Sequence, residues 1–570
     1  MRILSPEQMR AAELRSEKLG VSRGQLMENA GNALAEIIRK RCTEKINAAP
    51  EKISVVFLAG SGNNGGDCFV AARRLSQLGY SVTVVNLCGK PHTELARNAF
   101  KNLAGTGVRA IKAFRGQNMK SRIEAAELDF MTLPRDNDLS ELVDSPQPSA
   151  LEKIQLEEEN RIRQVTEALE KADIIADGVF GTGFHGQLDS EIIGFLNAET
   201  HGYKIAVDVP SGGNCASGDA AEGTFRADET VVFGAVKIGM TQYPLRELCG
   251  RLRLADIGIP EEAFTAESEE REYCLVDNEE LSGFPRSRKG DSHKGNFGRV
   301  LCITGSTSMR GAAVLSLLGA LRSGVGIAVL ASVEKTVDTA AVLAPEAMFR
   351  ELECDDYGYM LCEYNTALLR SEIEKADAVL IGCGMGVTAD TCALTKFVIE
   401  NTNCPLIIDA DGINCIASDI DILLKKKTDI ILTPHVGEMA RLTGKTTAEI
   451  SSDRFSAAAG LAEKYGVTVV LKGAGTIIAD SARTSVIDTG NAGMSRGGSG
   501  DVLAGITASL AAQGYTPYDA ARYAAYTHGL AGDIAADKLG YEAMLPRDII
   551  DALSDSFGMI KSSQNRKRNA

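Results

Sequence analysis

The chain has 570 residues, 44% of them hydrophobic and 24% charged, with a formal net charge of −15. Such a composition is typical of a globular protein with full-sized cores, and the negative charge argues against nucleic acid or an anionic membrane as a main partner. The 13 cysteines include no CxxC pair, which argues against a disulfide framework or a zinc site. There is no signal-peptide pattern and no apolar run of ~18 residues, so we expect a cytoplasmic protein without membrane spans.

The first half, residues 1–265, alternates short apolar runs with helical patterns, which predicts a parallel sheet covered by helices. Residues 115–170 interrupt this rhythm, and we expect there a polar, partly helical surface insertion. The acidic stretch 261–273 is the predicted linker. Strand patterns occupy 52–60, 80–87, 172–180, 204–210, 229–237 and 252–259.

The second half, residues 275–560, shows the same alternation without copying the first, which indicates a fusion of two different domains. The polar tail 561–570 is predicted to be disordered. Strand patterns occupy 298–306, 325–332, 376–386, 405–412, 428–435 and 467–480.

Three strands of the first half end in polar or glycine-rich loops. SGNNGGD (61–67) joins a strand to a helix, and DGVFGTGFHG (177–186) and DVPSG (208–212) follow two later strands. One such loop is explained equally well as a tight turn with a capping aspartate. Three at the same edge of a parallel sheet favour a ligand crevice.

These loops, together with NAG (29–31), resemble the NAD(P)H-hydrate epimerase domain over about residues 1–260. The resemblance implies a potassium ion ligated by Asn64, Asp177 and Ser211, and such oxygen ligands suit a hard cation. It also implies that the hydrated nicotinamide nucleotide is contacted by Asn63, Asn64, Gly65, Gly66, Asp67, Gly181, Thr182, Gly183, Phe184, His185, Gly186, Gln187 and Asp208.

Epimerisation at a carbon that bears both a hydroxyl and the ring nitrogen requires proton transfers. Asp208 is the nearest candidate base, and Lys237 is its candidate partner. The alternative for Lys237 is a surface or structural lysine.

The run GGSGDVLAG (497–505) is the strongest chemical signal in the chain. Its glycines allow backbone N–H groups to form an anion nest, and the helix that follows points its positive end at the same place. A phosphoryl group in transfer would be stabilised there, and Asp501 would take the proton from the acceptor hydroxyl. The alternative is a glycine-rich turn capped by Asp501.

This run resembles the GxGD anion hole of the ribokinase-like superfamily. Together with IGCGMG (381–386), DADGIN (409–414), TPHVGEMARL (433–442) and VLKGAGTII (470–478), it makes residues 275–555 resemble the ADP- or ATP-dependent NAD(P)H-hydrate dehydratases, which usually carry a proline where Cys383 stands. The resemblance implies nucleotide contacts from Lys472, Gly473, Ala474, Gly475, Thr476, Asn491, Gly497, Gly498 and Gly500. It implies substrate contacts from Ala313, Gly384, Gly386, His435, Arg441 and Asp501.

Two of these residues have plainer alternatives. His435 follows a strand and precedes a helix, and its alternative is a capped core histidine. The alternative for Lys472 is a surface lysine at a strand end.

The two halves together resemble the bifunctional nicotinamide nucleotide repair enzymes. That resemblance implies an α/β fold with an N-terminal Rossmann-like and a C-terminal ribokinase-like three-layer sandwich. It implies epimerisation of the R and S hydrates NADHX and NADPHX, and dehydration of the S form at the expense of ADP, with ATP as an alternative. Magnesium is expected on general grounds of phosphoryl transfer, and a homo-oligomer is also expected.

Two other functions remain open from the sequence. One is a ribokinase-like kinase of a small vitamin-precursor alcohol. The other is an active dehydratase whose N-terminal half is a non-catalytic binding module.

Overall fold

The computed structural model describes residues 1–46, 48–113, 150–264, 271–277, 280–281 and 283–568. The chain divides into two compact units, one of Arg2–Ser268 and one of Glu269–Ala570 with Met1. Among the described residues, no helix is both long and apolar enough to cross a membrane.

The first unit is built on a parallel sheet of seven strands in the order β4-β3-β2-β5-β6-β7-β9, and a short parallel pair, β1 and β8, lies apart from it. The strands are β1 Ile3–Leu4, β2 Ser54–Ala59, β3 Ser81–Asn86, β4 Arg109–Lys112, β5 Ile174–Gly178, β6 Tyr203–Val207, β7 Glu229–Phe233, β8 Val236–Lys237 and β9 Arg251–Ala255. The helices are α1 Pro6–Lys18, α2 Arg23–Lys45, α3 Asn63–Gln77, α4 Glu94–Lys101, α5 Ala150–Glu170, α6 Ser190–Leu196, α7 Leu245–Leu248 and α8 Glu261–Phe264.

Helices cover both faces of this sheet. Val55 and Phe57 of β2 belong to a core cluster with residues of α2 and α3, whereas Val56 and Leu58 belong to a second cluster with residues of α5 and α6. A parallel strand buried on both faces is apolar at nearly every position, which is the pattern of residues 54–59.

Helix α5 lies in the region 115–170, where a surface insertion was expected, and its position corrects that expectation. Val165, Ala168 and Leu169 are buried in the core, because their spacing of three and four residues places them on one face of the helix. Residues 156–170 therefore belong to the fold itself, as the crossover between β4 and β5. The rest of the predicted insertion, up to residue 149, lies outside the described residues.

The second unit has a sheet of ten strands in the order β10-β19-β18-β17-β16-β15-β14-β11-β12-β13. The strands are β10 Glu272–Val276, β11 Arg299–Ile303, β12 Ile327–Ser332, β13 Met348–Glu351, β14 Ala378–Ile381, β15 Leu406–Ile408, β16 Ile430–Leu432, β17 Thr468–Leu471, β18 Thr476–Ala479 and β19 Arg483–Ile487. The helices are α9 Arg310–Arg322, α10 Glu334–Leu343, α11 Cys362–Ile373, α12 Ala389–Asn401, α13 Asp411–Ile416, α14 Val436–Thr443, α15 Thr447–Ser452, α16 Arg454–Tyr465, α17 Ser499–Ala512, α18 Pro517–Leu539 and α19 Pro546–Arg568.

The structure of the second unit differs from three of the expectations drawn from the sequence. The pattern 467–480 is two antiparallel strands, β17 and β18, because Gly473 and Gly475 take positive φ and turn the chain back. The predicted linker ends early, since residues 272–273 already belong to β10, which pairs with β19. The tail expected to be disordered continues α19 to Arg568, because it contains no glycine or proline and extending a formed helix costs little.

Both units are thus α/β, with mostly parallel sheets covered by helices, and the predicted fold class is confirmed. In this architecture, ligands bind at the carboxyl ends of the strands, where the loops that follow β2, β5, β6, β15 and β16 lie.

Candidate active sites

A cavity of about 730 Å³ lies at the carboxyl ends of β2, β5 and β6 in the first unit. It is lined by residues that the sequence analysis assigns to the substrate site, namely Asn63, Asn64, Asp67, Gly181, Thr182, Gly183, Phe184, Asp208 and Lys237. A cavity of this volume is within the range of small-molecule and cofactor sites.

Five other residues expected at this site lie outside the lining of the cavity. A Cβ atom on Gly65 would lie 2.1 Å from the carbonyl oxygen of Gly60, and one on Gly66 would lie 2.6 Å from Met27 Cε, so these glycines serve the packing of α3. His185, Gly186 and Gln187 are exposed, because the chain turns outward after Phe184, whose ring packs on Phe180.

Asp208 and Lys237 form a buried ion pair at this cavity. Asp208 Oδ1 accepts from Lys237 Nζ and from the backbone N–H of Phe233 at 3.0 Å, while Lys237 Nζ also donates to the Phe233 carbonyl oxygen at 3.1 Å. Lys237 is only 1% exposed, which excludes a surface lysine. Asp208 is held at φ +64°, a strained conformation of the kind that is found at functional sites.

Two further carboxylates, Asp67 and Glu13, line the same cavity. Asp67 is the fifth residue of α3 and does not cap it, since the N-cap is Gly62. Burial raises the pKa of Asp67 well above its usual range, and the neighbouring charges of Asp208 and Glu13 act in the same direction. Burial and Asp208 also raise the pKa of Glu13. Glu13 was not among the predicted site residues, because one acid in an amphipathic helix gives no sequence signal.

The three predicted potassium ligands lie close together: Asn64 lines the cavity, and both it and Ser211, which binds Asp177, contact the carbonyl oxygen of Phe180. The carboxylate of Asp177 is fully buried and accepts from Ser211 Oγ at 2.6 Å, from Ser211 N at 2.8 Å and from Val179 N at 3.2 Å. Asn64 Nδ2 donates to the carbonyl oxygens of Phe180 at 2.8 Å and of Val207 at 3.0 Å. Burial raises the pKa of Asp177 to about 6, although its bonds with Ser211 oppose the shift.

In the second unit, the glycine-rich run forms the turn that starts α17. Gly498 is the N-cap at φ +102°, and Asp501 lies in the first turn of the helix. Burial raises the pKa of Asp501 to about 7, and the nearby carboxylate of Asp409 acts in the same direction. A helix N-terminus with open backbone N–H groups is suited to bind an anion.

Asp409 connects this turn to Lys472. Its Oδ1 accepts from Lys472 Nζ at 2.8 Å and from Thr433 Oγ1 at 2.6 Å, and Cys383 Sγ lies 3.5 Å from its Oδ2. Ligand atoms of Cys383, Asp409 and Asp501 all lie within 4.8 Å of one another. Asp409 lies in the DADGIN segment but was not among the predicted site residues, although its position directly after β15 was an available signal.

Lys472 is therefore part of the acidic cluster and not a surface lysine. Burial alone would lower its pKa, but the carboxylates of Asp409 and Glu438 outweigh this effect and raise it. A Cβ atom on Gly500 would lie 3.3 Å from Lys472 Nζ, so the ammonium group lies directly beside the glycine turn.

His435 is exposed and caps α14, with Nδ1 accepting from Gly437 N at 2.9 Å, which excludes a core histidine. Arg441 on the same helix donates to Asn414 Oδ1 at 2.9 Å. Gly384 and Gly386 both have positive φ in the loop after β14.

Two expected contacts do not match their surroundings. The side chain of Ala313 is fully buried, because it lies on the face of α9 that packs into the core, and it offers no surface to a substrate. Asn491 has a local structural role, since its Nδ2 donates to Asp533 Oδ1 at 2.9 Å and its Oδ1 accepts from Gly493 N at 3.0 Å.

Comparison with known families divides the chain as the structure does. A family model described as "YjeF-related protein N-terminus" matches residues 23–239, and one described as "NAD(P)H-hydrate dehydratase" matches residues 300–555. The bifunctional NAD(P)H-hydrate repair enzyme of Moorella thermoacetica is 33% identical over 537 residues, which are 93% of this chain and 91% of that protein.

The chain belongs to the family of bifunctional NAD(P)H-hydrate repair enzymes. The enzyme of that name from Escherichia coli is 32% identical over 94% of this chain and 90% of its own length. A solved ADP/ATP-dependent NAD(P)H-hydrate dehydratase from Bacillus subtilis, co-crystallised with ATP/Mg²⁺, is 27% identical, with a TM-score of 0.43, and covers 50% of this chain and 98% of that one.

Membership of this repair-enzyme family confirms the resemblance seen in both halves of the sequence. The N-terminal family match begins at residue 23, so α1 and its Glu13 precede the matched segment. The cavity of the first unit is nevertheless completed by α1.

We expect Gly498→Ala to destabilise the second unit by on the order of 1–3 kcal/mol, measured by thermal unfolding. A Cβ atom there would lie 2.6 Å from Leu315 Cδ1, and the residue would have to hold φ +102°. The matched control is Gly497→Ala next to it, where a Cβ atom would meet nothing within 4 Å. Equal melting temperatures for the two variants would contradict the strained turn.

Proposed function

We propose that the first unit interconverts the R and S hydrates of NADH and NADPH, and that the second unit dehydrates the S hydrate at the expense of ADP. The observation that carries the proposal is the position of Asp501, in the first turn of α17 behind the glycine turn and close to Asp409, the ion-pair partner of Lys472. This arrangement combines an anion site, a base and a cation for a transferring phosphoryl group.

In the dehydration, Asp501 takes the proton of the ring hydroxyl, and the hydroxyl oxygen attacks the terminal phosphorus of ADP. The new O–P bond forms while the bond to AMP breaks, and the backbone N–H groups of residues 497–500 stabilise the charge on the transferring group. The lone pair of the ring nitrogen then expels phosphate, and loss of a proton from the adjacent ring carbon restores the dihydronicotinamide. ADP is proposed over ATP on the resemblance alone.

Magnesium remains a prediction for this site. It would neutralise charge on the nucleotide phosphates, and protein sites of this kind usually contribute only one or two carboxylates. Since Asp501 is assigned as the base, Asp409 is the carboxylate of this cluster that would hold the ion, although it already pairs with Lys472. The expected homo-oligomer and cytoplasmic location also remain predictions.

The experiment that tests the function follows a racemic mixture of NADHX epimers with ADP, and with ATP in parallel. We expect both epimers to disappear and dihydronicotinamide absorbance to return, at a rate above spontaneous epimerisation. The Asp501→Asn variant should lose at least ~100-fold in dehydration while the epimers still interconvert, because only the second site loses its base. The readouts are absorbance and chromatography of the two epimers.

Each other outcome of this experiment has a clear meaning. Consumption by the wild type that stops once the S epimer is used up would favour a non-catalytic first unit. A stable phosphorylated product would favour a kinase. Dehydration by Asp501→Asn at the rate of the wild type would exclude Asp501 as the base.

The dehydration rate should fall as the pH is lowered through about 7, because Asp501 has a raised pKa of about 7 and must be ionised to accept a proton. The measurement is kcat against pH on the pure S hydrate, with the spontaneous acid-catalysed reaction subtracted. A rate that stays constant from about two pH units above this value to two below it would contradict the assignment.

We propose that the first unit binds potassium through Asn64, Asp177 and Ser211. The donor set fits a hard cation, since it offers oxygen atoms of Asn64, Asp177 and Ser211, and among the described residues no basic side chain pairs with the buried Asp177. A buried carboxylate without a counter-charge is costly. The ion would offset that charge and order the loops that bind the substrate.

Potassium should therefore raise the melting temperature of the protein, and more so above pH 6 than below it. Asp177 has a pKa of about 6, so its carboxylate is ionised above that pH and then requires a counter-ion. The measurement compares potassium, sodium and choline chlorides at equal ionic strength. Asp177→Asn should abolish the ion-specific shift, and an equal shift with choline would exclude the site.

A further inference from the structure

We propose that Asp67 is the general acid of the first site and works opposite the Asp208–Lys237 pair, an inference that rests on the proposed epimerisation. The family resemblance gives Asp67 only a place among the residues that contact substrate. Its surroundings in the cavity support a chemical role.

The charges in the cavity are unevenly compensated. Three carboxylates line it, those of Glu13, Asp67 and Asp208, and the ammonium group of Lys237 is committed to Asp208. The two arginines of the lining, Arg10 and Arg23, act electrostatically on Glu13 and oppose its protonation. His92 is the remaining titratable side chain of the lining.

Asp67 is the carboxylate left without compensation. Among the described residues it has no ion-pair partner and accepts no side-chain hydrogen bond, while Asp208 and Glu13 both repel its negative charge and Lys237 only partly offsets them. When like charges share a buried site, one of the groups retains a proton. Burial and these neighbours raise the pKa of Asp67, which agrees with the assignment of the proton to this group.

Asp67 and Asp208 differ in the groups that contact them. Asp208 is stabilised as a carboxylate by Lys237 and by the backbone N–H of Phe233. The two carboxylates of one cavity therefore have different surroundings: Asp208 is bonded to an ammonium group, and Asp67 has no such partner among the described residues. Two carboxyl groups in contrasting surroundings are the usual arrangement for a base and an acid that act in the same reaction.

The chemistry requires both groups. Asp208 takes the proton of the substrate hydroxyl, and the oxygen electrons form a carbonyl as the bond from carbon to the ring nitrogen breaks. The electron pair of that bond goes to the nitrogen, which takes the proton of Asp67. Rotation turns the other face of the carbonyl to the nitrogen. Ring closure then runs the same steps in reverse, so that Asp67 regains its proton and Asp208 returns its own to the oxygen.

The test uses the full-length protein and the pure R hydrate, and it measures interconversion by chromatography. Asp67→Asn should lower kcat for epimerisation by ~100-fold or more, with KM changed little, because the amide keeps the size of the side chain and cannot donate an acidic proton. Asp67→Glu keeps the acid and should retain more activity than Asp67→Asn. Glu13→Gln removes a carboxylate from the same cavity and should cost less than ~10-fold.

The pH profile supplies a readout that a merely structural residue would not change. In the wild type, kcat for epimerisation should fall as the pH rises through the pKa of Asp67, because the acid loses its proton. This alkaline limb should remain in Glu13→Gln and disappear in Asp67→Asn. Dehydration of the pure S hydrate by the same variants serves as an internal control for intact protein.

Three results would overturn the proposal: epimerisation by Asp67→Asn within ~3-fold of the wild type, an unchanged alkaline limb in that variant, or a loss in both Asp67 variants that lies wholly in KM. If the wild type itself fails to epimerise the hydrate, the proposed function fails instead, and the two failures are thus distinguishable.

Discussion

A largely buried lysine–aspartate ion pair lies at the strand ends of each unit, and both candidate sites depend on these pairs. Lys237 pairs with Asp208 in the first unit, and Lys472 pairs with Asp409 in the second. Breaking a buried pair by removing one partner typically costs ~3–5 kcal/mol, since it leaves an uncompensated charge. The lysine therefore compensates the charge of one carboxylate in each unit, whereas burial and neighbouring charges raise the pKa of a second one: Asp67 in the first unit and Asp501 in the second.

Glycines allow these charges to come close together, because neighbouring loops pack backbone against backbone. A Cβ atom on Gly60 would lie 1.9 Å from the carbonyl oxygen of Val179, and one on Gly382 would lie 2.0 Å from the carbonyl oxygen of Asp409. Side chains at these positions would separate the strand ends and increase the distance between the carboxylates of each site. The glycine content of the loops thus supports the electrostatics as much as any contact with a ligand.

The sequence predicted the site residues that follow strand ends well, and it predicted those that come from other elements poorly. The loops after β2, β5 and β6 were identified because glycine and polar residues interrupt apolar runs. Glu13 could not be found in this way, because its role depends on the packing of α1 over a cavity that no local pattern records. Short strands such as β4 and β13 were missed for a related reason, since their few residues are largely exposed and carry little apolar signal.

Cys383 adjusts this balance through its thiol. Here the buried thiol lies between Asp409 and Asp501, and burial together with Asp409 raises its pKa far enough to keep it neutral. A neutral thiol adds no negative charge to the cluster, and its hydrogen bond lowers the pKa of Asp501, in opposition to burial and Asp409. The residue therefore favours the ionised form of Asp501, the form that the proposed base requires.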